Sequence, residues 1–535
     1  AMAGGDAEFD VVVAGAGHNS LAAAAYLAKA GFTCLILEHR NVIGGDTMTE
    51  ELTLPGFRHD SCSTAHNLIQ ASPMLQRDEL ELGQYGLQYI LPDPVVHMPF
   101  PDGTSITQWR DLDRTCGEIA RFSRADALAY RRLIEEYAEV APIFNEVSYT
   151  PVGFGPLLLE RFNAHPKGRI WQRRMALSAW EVIRARFESE QVRAFMLWMA
   201  FMTMVPPDQP MSGRLAWSVV AGRQRWSWAV PKGGSQALPN ALARVIEAHG
   251  GQILTGKSVT GLIVEAGSCR GVTCADGSSH RAKRAVLSTI HVKHLVDMAP
   301  ADVWGADFVE SVETWQAGVA MFAAHYAVTE PLTVDGPDGP FNPSAVGIMP
   351  SVDHALRLGY DMARGAVRTD EPPLLVIVTS AADPSRAPEG RHTLKVVGFG
   401  PYELKEGAAH WDAIKDDVAG AHLDHLRRYF PSMTDDKILA GAILSPLDLE
   451  RVNPHNWHGS CHGGAQIPAQ AAGLRPAPGW AQHRMPIKGL YQTGATTHPG
   501  GSVSGAPGRN AAIIMLQDFG TSLEDVLAKR ERASA

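Results

Sequence analysis

Three glycine-rich segments contain the residues whose types and spacing could carry chemistry. In the first, Gly15-x-Gly17-x-x-Ser20 directly follows a short apolar run, and Glu38 ends the next such run. Gly15 permits a tight turn, and Gly17 lets the backbone approach a pyrophosphate at the N-terminus of the following helix. Ser20 replaces a third glycine and is still small enough for close packing. Glu38 is placed to accept hydrogen bonds from the ribose hydroxyls of an adenosine. This pattern predicts a dinucleotide site.

The second segment is the pair Gly44-Gly45, which starts six residues after Glu38. Adjacent glycines let the backbone come close to a flat or charged ligand. An enzyme that binds NAD alone has no need of such a pair, whereas the longer dinucleotide of a flavoprotein runs past this loop. A plain turn is the alternative interpretation of the pair taken alone.

The third segment extends from residue 489 to residue 508 and contains Gly494, Gly500 and Gly501, followed by Ser502 and Val503. So many glycines indicate backbone packed against a planar ligand. An apolar helix over residues 511–516 follows, and its N-terminus would point at that ligand. The helix dipole would then stabilise negative charge on the N1–C2=O edge of a reduced flavin. We therefore expect the dinucleotide to be FAD.

These segments resemble the phytoene dehydrogenase-like flavoproteins of the glutathione-reductase and amine-oxidase superfamily. The resemblance rests on GAGHNSLAAAAYLAKAG with LILEHRNVIGG, on VPKGGSQALPNALARVIEAHGGQI, and on GLYQTGATTHPGGSVSGAPG, in that order along nearly the whole chain. The sequence departs from the usual pattern at Ser20 and Ser502, where glycine is commoner. The resemblance implies non-covalently bound FAD held by Gly15, Gly17, Ser20, Glu38, Gly44, Gly45, Val259, Gly494, Gly500, Gly501, Ser502 and Val503.

The elements that must position these residues form an α/β fold. The resemblance implies a glutathione-reductase-type Rossmann domain for FAD, assembled from discontinuous segments, together with an α+β substrate domain. We expect the FAD domain to comprise residues 1–110, 228–300 and 485–535. We expect a helical part of the substrate domain over residues 111–227 and a sheet part over residues 301–484.

The function implied is that of an FAD-dependent dehydrogenase or desaturase, which moves hydride from a hydrophobic small molecule to flavin N5. Three alternatives stay open. One is an oxidase that uses oxygen directly, for example on an amine, and another is a redox-neutral double-bond isomerase. The third is a non-enzymatic binding protein like the Rab escort proteins, against which the complete flavin loop argues.

His498 is the candidate catalytic side chain because it lies inside the third glycine-rich segment. It could orient substrate or assist proton removal beside the flavin ring. The alternative is that it shapes the turn before Pro499. His325 and Tyr326 alternate on an expected strand, so one of the two should face the substrate cavity.

Charge and composition limit the kinds of molecule that the protein is expected to bind. The chain has 535 residues, 48 of them basic and 57 acidic, with a net charge of −9 and no concentrated basic block, which argues against nucleic acid. Six scattered cysteines indicate reduced thiols in a cytoplasmic protein, and we expect no metal site. The apolar residues 195–205 favour a buried helix over a membrane-dipping entrance for a lipophilic substrate. Peripheral membrane association and the oligomeric state stay open.

Overall fold

A computed structural model of the protein describes residues 7–156 and 158–535 and contains two seven-stranded sheets. Five strands of the first sheet run parallel, and two more extend it as an antiparallel meander beside Ser279–Ser288. In spatial order the parallel strands are Gln252–Leu254, Cys34–Leu37, Phe9–Ala14, Ser279–Ser288 and Leu490–Gln492, and the meander strands are Ser268–Cys274 and Val259–Glu265.

This first sheet confirms the expected Rossmann architecture built from separate stretches of chain. The apolar runs form fully buried parallel strands because both faces of the sheet are covered. The helix His18–Lys29 packs between Ala237–Ala248 and Ala506–Asp518. Gly508 makes the second of these contacts close, since a Cβ there would lie 2.2 Å from the Asn19 carbonyl oxygen. The carboxyl ends of Phe9–Ala14, Cys34–Leu37 and Ser279–Ser288 meet at one edge, where such sheets bind ligands.

The second sheet is mainly antiparallel, and the helix Trp411–Arg427 covers one of its faces. Its strands, in spatial order, are Ile438–Leu444, Ala320–Val328, His392–Gly400, Leu374–Ile377, Ala345–Ile348, Val96–Pro99 and Ser105–Gln108. The last two correct the sequence-based division at residue 110. They form a hairpin that pairs with Ala345–Ile348 through Val346 and His97, so it belongs with the second sheet although it lies within residues 1–110.

A helical layer rests against the second sheet, as the sequence predicts for this region. Its helices are Leu112–Ala120, Arg124–Ser148, Leu158–Ala164, Gly168–Ala176, Ala179–Arg186, Glu190–Phe201 and Leu215–Trp226. The apolar run near residue 200 falls in Glu190–Phe201, where Trp198 is fully buried and donates from Nε1 to the Leu374 carbonyl at 3.0 Å. This helix is therefore part of the core. Across the two described ranges, no helix has both the length and the apolarity to span a bilayer.

Short elements connect these layers. The two-stranded pairs are Thr49–Glu50 with His59–Asp60, Tyr89–Ile90 with Val230–Pro231, and Val334–Gly336 with Gly339–Phe341. The remaining α-helices are Pro73–Gln76, Val292–Leu295, Ala301–Trp304, Ala306–Glu313, Val352–Ala363, Pro446–Val452 and Leu523–Ser534.

Candidate functional site

A continuous cavity extends from the carboxyl edge of the first sheet to the inner face of the second, with an empty volume of about 1880 Å³ including its open mouth. Gly15, Gly17, Glu38, Gly44, Gly45, Val259, Gly494, Ser502 and Val503 line it. Nine residues from the predicted cofactor set therefore share one cavity, although they come from three distant segments of the chain.

The turn after the first strand has the backbone geometry that a pyrophosphate site requires. Gly15 has φ +101°, and a Cβ on it would lie 2.5 Å from the Thr289 side chain. Ser20 is fully buried behind the turn and donates from Oγ to the carbonyls of Gly15 and Gly17 at 2.7 and 3.1 Å. Ser20 thus braces the turn from behind, and its direct contact with FAD stays a prediction.

Glu38 directly follows the strand Cys34–Leu37 and lines the cavity. Its side chain is 8% exposed, and Oε2 is buried without a hydrogen-bond partner among the described residues. Burial raises the pKa of Glu38 to about 7, against the effect of backbone hydrogen bonds and the Arg40 charge. A buried acceptor without a donor matches the two hydroxyl donors of a ribose.

The glycine pair completes this end of the cavity. Gly44 has φ +120° and donates its N–H to the Ala16 carbonyl at 2.7 Å. A Cβ on Gly45 would lie 3.2 Å from the Gly17 Cα, so side chains here would fill the groove between the two loops. Val259 lines the cavity on the meander side, next to Lys257 and Ser258.

Residues of the third glycine-rich segment, 489–508, have two different positions relative to the cavity. Gly494, Ser502 and Val503 line the cavity, whereas Gly500 and Gly501 do not. A Cβ on Gly500 would lie 2.8 Å from the Gln466 amide, and one on Gly501 would lie 2.4 Å from the His462 backbone. Those two glycines therefore allow a neighbouring loop to pack closely, and their contact with FAD stays a prediction.

The helix after this segment begins at Ala506, earlier than the sequence suggests. Ser504 Oγ accepts from the Ala506 N–H at 3.1 Å, Pro507 has no N–H, and Asn19 Oδ1 accepts from the Gly508 N–H at 3.4 Å. The first-turn amides thus have internal partners and are not free to reach a ligand. The backbone of Ser502 and Val503 approaches the cavity ahead of the positive end of the helix dipole.

Ser502 has φ +113°, a region that non-glycine residues rarely occupy. Such strain costs about 1–3 kcal/mol, and the extra freedom of an unfolded glycine offsets about 0.5–1 kcal/mol. We expect Ser502→Gly to raise the thermal midpoint and to leave FAD content unchanged, as measured by thermal unfolding and flavin absorbance. Ser504→Gly serves as the control and should lower stability, because it removes the acceptor for Ala506. A loss of stability in Ser502→Gly would contradict the strain argument.

His498 does not line the cavity. Its ring is 6% exposed, and Nε2 lies 3.0 Å from the Val147 carbonyl oxygen near the end of Arg124–Ser148. Burial lowers the pKa of His498 below its ordinary value, so the neutral ring donates this hydrogen bond. A ring committed to that carbonyl cannot serve as a base inside the cavity. This contact favours the alternative that His498 shapes the turn, and its catalytic role stays a prediction.

We expect His498→Ala to lower the free energy of unfolding by about 0.5–1.5 kcal/mol, because the hydrogen bond from the ring to the Val147 carbonyl is lost. FAD occupancy should fall with it, while the remaining holoprotein is reduced at a near-normal rate. Thermal unfolding, flavin content and anaerobic reduction, measured on one preparation, test this. The exposed His249→Ala is the control. Full occupancy combined with a ~10²–10⁴-fold slower reduction would instead indicate proton transfer by His498.

The far end of the cavity is an apolar floor made by one face of the second sheet. Alternate residues of three strands point into it: Met321, Leu375, Ile377, Lys395, Val397 and Phe399. His325 and Tyr326 lie on opposite faces of their strand, as expected, but neither residue lines the cavity. His325 lies on the same face as Met321 but packs edge-on against His59 at 5.5 Å, and Tyr326 belongs to the core on the opposite face.

Two cations at this end are absent from the sequence-based site. Lys395 is buried and donates from Nζ to the Cys62 carbonyl at 2.6 Å and to Thr64 Oγ1 at 3.3 Å. Burial lowers the pKa of Lys395 below its ordinary value. Arg223, on the helix Leu215–Trp226, also lines the cavity. Within residues 7–156 and 158–535, no three His, Cys, Asp or Glu side chains are grouped to hold a metal ion.

The residues present therefore fit FAD. The glycine cradle formed by Gly15, Gly44 and Gly45 leaves space that side chains at these positions would fill. The Glu38 Oε2 atom, which has no partner among the described residues, can accept a hydrogen bond from a ribose hydroxyl. Glu38 and the three glycine-rich loops would hold the group, with Ser502 and Val503 beside its ring end.

Comparison with known proteins agrees with this geometry. The profile of the family "Flavin containing amine oxidoreductase" matches residues 21–512. "Pyridine nucleotide-disulfide oxidoreductase domain-containing protein 2" of Mus musculus is 31% identical over 566 aligned positions, covering 96% of this chain and 94% of that protein. The "phytoene desaturase (neurosporene-forming)" of Cereibacter sphaeroides is 24% identical and covers 94% of each chain.

Among solved structures, wild-type putrescine oxidase bound to putrescine superposes with a TM-score of 0.62 at 16% identity, covering 97% of this chain and 99% of that one. This likeness supports the fold. The relationship to phytoene dehydrogenase-like flavoproteins, the Rossmann architecture and the FAD cofactor, all expected from the sequence, are confirmed. The chain belongs to the flavin-containing amine oxidoreductase family and is an FAD-dependent oxidoreductase.

Proposed function

We propose that this protein is a dehydrogenase or desaturase of a hydrophobic small molecule. The observation that carries the proposal is the continuity of the cavity, which joins the glycine cradle to an apolar floor on the second sheet. FAD, when bound, supplies the hydride acceptor. The substrate would lose one hydride to it and one proton to solvent, which leaves a C=C or C=X bond.

In this proposal the two sheets bind different molecules. The unit around the first sheet binds FAD, and the second sheet with its helical layer binds substrate. Met321, Leu375, Ile377, Val397 and Phe399 would hold an apolar body by burial, which stabilises binding by roughly 25 cal/mol for each Å² removed from water. The same side chains would exclude water from the reacting carbon.

An amine substrate is less favoured by the charges at this end of the cavity. Arg223 and Lys395 are both basic. Of the two acidic residues that line the cavity, Glu38 lies in the dinucleotide half, and Asp46 lies near enough to Lys395 to interact with its charge. Asp46 is moreover occupied as an acceptor for Asn453 and Asn456 at 3.0 and 2.8 Å. A protonated amine would meet like charges beside the apolar floor.

The test is anaerobic bleaching of the flavin absorbance by a panel of apolar compounds, with matched amines included. We expect at least one apolar compound with a saturated C–C or C–heteroatom bond to bleach the band, with product formed in equal amount. Bleaching by amines alone would favour an amine oxidase. Double-bond migration without net bleaching would favour an isomerase.

A further inference from the structure

The cavity contains a buried guanidinium that the proposed dehydrogenation does not use. Arg223 is 9% exposed and lines the cavity from the helix Leu215–Trp226. Its Nε and Nη1 atoms are buried and have no hydrogen-bond partner within residues 7–156 and 158–535. Its guanidinium carbon lies 3.9 Å from the ring centroid of Trp228.

The other two lysine or arginine side chains that line the cavity are partnered. Lys257 forms an ion pair with Asp276, and Lys395 donates to Cys62 and Thr64. Arg223 has neither an ion pair nor a side-chain hydrogen bond among the described residues. A buried charge without a counter-charge is costly, and natural proteins pair it or bring a ligand to it.

The position of Arg223 assigns it to the substrate end of the cavity. Trp228 stacks on Trp198 with ring centroids 6.2 Å apart, and Trp198 donates to the Leu374 carbonyl of the second sheet. The guanidinium is thus tied through two indole rings to the sheet that forms the apolar floor. The pyrophosphate cradle at Gly15 and Gly17 belongs to the first sheet, so cofactor phosphates do not explain this cation.

We propose that the substrate is an amphipathic carboxylic acid, whose carboxylate binds Arg223 while its apolar body lies on the floor of the second sheet. A guanidinium presents parallel N–H donors that match the two oxygens of a carboxylate. Arg223 is the unpartnered cation of the two at this end, so one carboxylate balances it, and the apolar surroundings favour a monoanion with a hydrocarbon body. This inference rests on the proposed function and specifies its substrate class. Burial also lowers the pKa of Arg223 to about 9, consistent with a cation that lacks a counter-charge in the free protein.

The experiment measures equilibrium binding to the FAD-loaded protein with three probes of equal chain length: octanoate, octan-1-ol and octylamine. Titration calorimetry and the perturbation of the flavin spectrum report binding without turnover. We expect octanoate to bind about 10- to 100-fold more tightly than octan-1-ol, because one charge-assisted interaction is gained. Octylamine should bind most weakly.

Variants on the same helix separate recognition from folding. Arg223→Met should abolish the preference for octanoate, and Arg223→Lys should keep part of it. Arg225→Met is the matched control, since Arg225 is exposed and stacks on Trp226 at 5.0 Å. Thermal stability and FAD content of Arg223→Met should stay equal to wild type or rise, because a buried unpaired charge is removed.

Equal affinity of the wild type for octanoate and octan-1-ol would overturn the inference. So would a loss of FAD from Arg223→Met, since the guanidinium would then serve the cofactor. A lower thermal midpoint in Arg223→Met with intact Arg225→Met would point to a structural role and would also overturn it. If the wild type selects octanoate but no apolar compound reduces the flavin, the proposed function fails while acid recognition stands. If a neutral hydrocarbon reduces the flavin but the wild type does not prefer octanoate to octan-1-ol, the proposed function stands and acid recognition fails.

Discussion

Glu38→Ala is expected to weaken FAD binding by about 10²–10⁴-fold, because two charged hydrogen bonds to the ribose, each contributing about 1.5–3 kcal/mol, are lost together. The buried Oε2 atom has no donor among the described residues and is free to accept from the ribose, whereas the backbone hydrogen bonds to this carboxyl are lost with it. FAD release on dilution of the holoprotein, followed by flavin fluorescence, measures the effect. The exposed Glu51→Ala is the control.

The same carboxyl makes FAD binding depend on pH. Burial raises the pKa of Glu38 to about 7 in the empty site, and hydroxyl donors favour the charged form, so binding lowers this pKa. FAD affinity should therefore be full above pH 7 and should fall as the pH drops below 7, by up to ~10-fold per unit, since one proton must leave. Glu38→Ala should remove this dependence. An affinity of Glu38→Ala equal to wild type at pH 8 would contradict the assignment of the adenosine site.

The dinucleotide half of the site was predictable because its signals are local. The strands Phe9–Ala14 and Cys34–Leu37 are continuous apolar runs between turn residues, and their bounds follow within a residue from the sequence. Gly15, Glu38 and the glycine pair each have a backbone or charge requirement that can be read without the rest of the chain. The Rossmann order then places all of them at one edge.

Other parts of the molecule depend on contacts between distant segments. Nothing local to Val96–Pro99 states which sheet it joins, because pairing with Ala345–Ile348 is settled by tertiary packing. Gly500 and Gly501 read like ligand-binding glycines until the loop of His462 is placed against them. The direction of His498 depends on Val147, which lies 351 positions away in the chain.

The residues at the substrate end of the cavity were the hardest to identify from the sequence. Lys395 is a single charge in the apolar strand His392–Gly400, and that irregularity was the one local sign that a buried cation faces the cavity. The sequence around Arg223 contains no such sign. Arg225, two residues away on the same helix, is exposed, and the sequence alone does not distinguish the two arginines. Charged residues on a helix are usually solvated, so the burial of Arg223 emerges from packing of the helix against Trp228.

A second buried arginine ties together the segments assigned to the two domains. Arg386, between two strands of the second sheet, donates to Asp60 at 2.8 Å, to Asp383 at 2.9 Å and to the Pro231 carbonyl at 2.9 Å. The three charged side chains are no more than 2% exposed. Asp383 also accepts from the Gly233 N–H at 2.8 Å, so the network reaches the turn that precedes Ala237–Ala248.

Arg386→Met is expected to lower the free energy of unfolding by about 3–5 kcal/mol, because it leaves two buried carboxylates without their counter-charge. Chemical denaturation followed by tryptophan fluorescence measures the loss. Arg391→Met, an exposed arginine five residues further on, is the control and should change stability little. An Arg386→Met variant as stable as wild type would contradict the ionic role of this network.

The dependence of protein stability on acid pH also tests the ionic role of the Arg386 network. Burial alone would raise the pKa of Asp383, but hydrogen bonds from Ser385 and Gly233 and the Arg386 charge hold it below its ordinary value. A lowered pKa in the folded state stabilises the protein above the unfolded value of about 3.9, and this contribution is lost as the pH falls below it. Arg386→Met should show a flatter decline in this acid range than wild type.

A triple variant, Asp60→Asn with Asp383→Asn and Arg386→Met, distinguishes an unpaired charge from lost packing. It should be less destabilised than Arg386→Met alone, because no charge is left buried, while the amide oxygens can still accept from the backbone of Gly233 and Ser235. FAD retention should follow the same order. Gln236 and Pro239, at the start of Ala237–Ala248, pack against Gly44, so loosening this turn moves one wall of the dinucleotide groove.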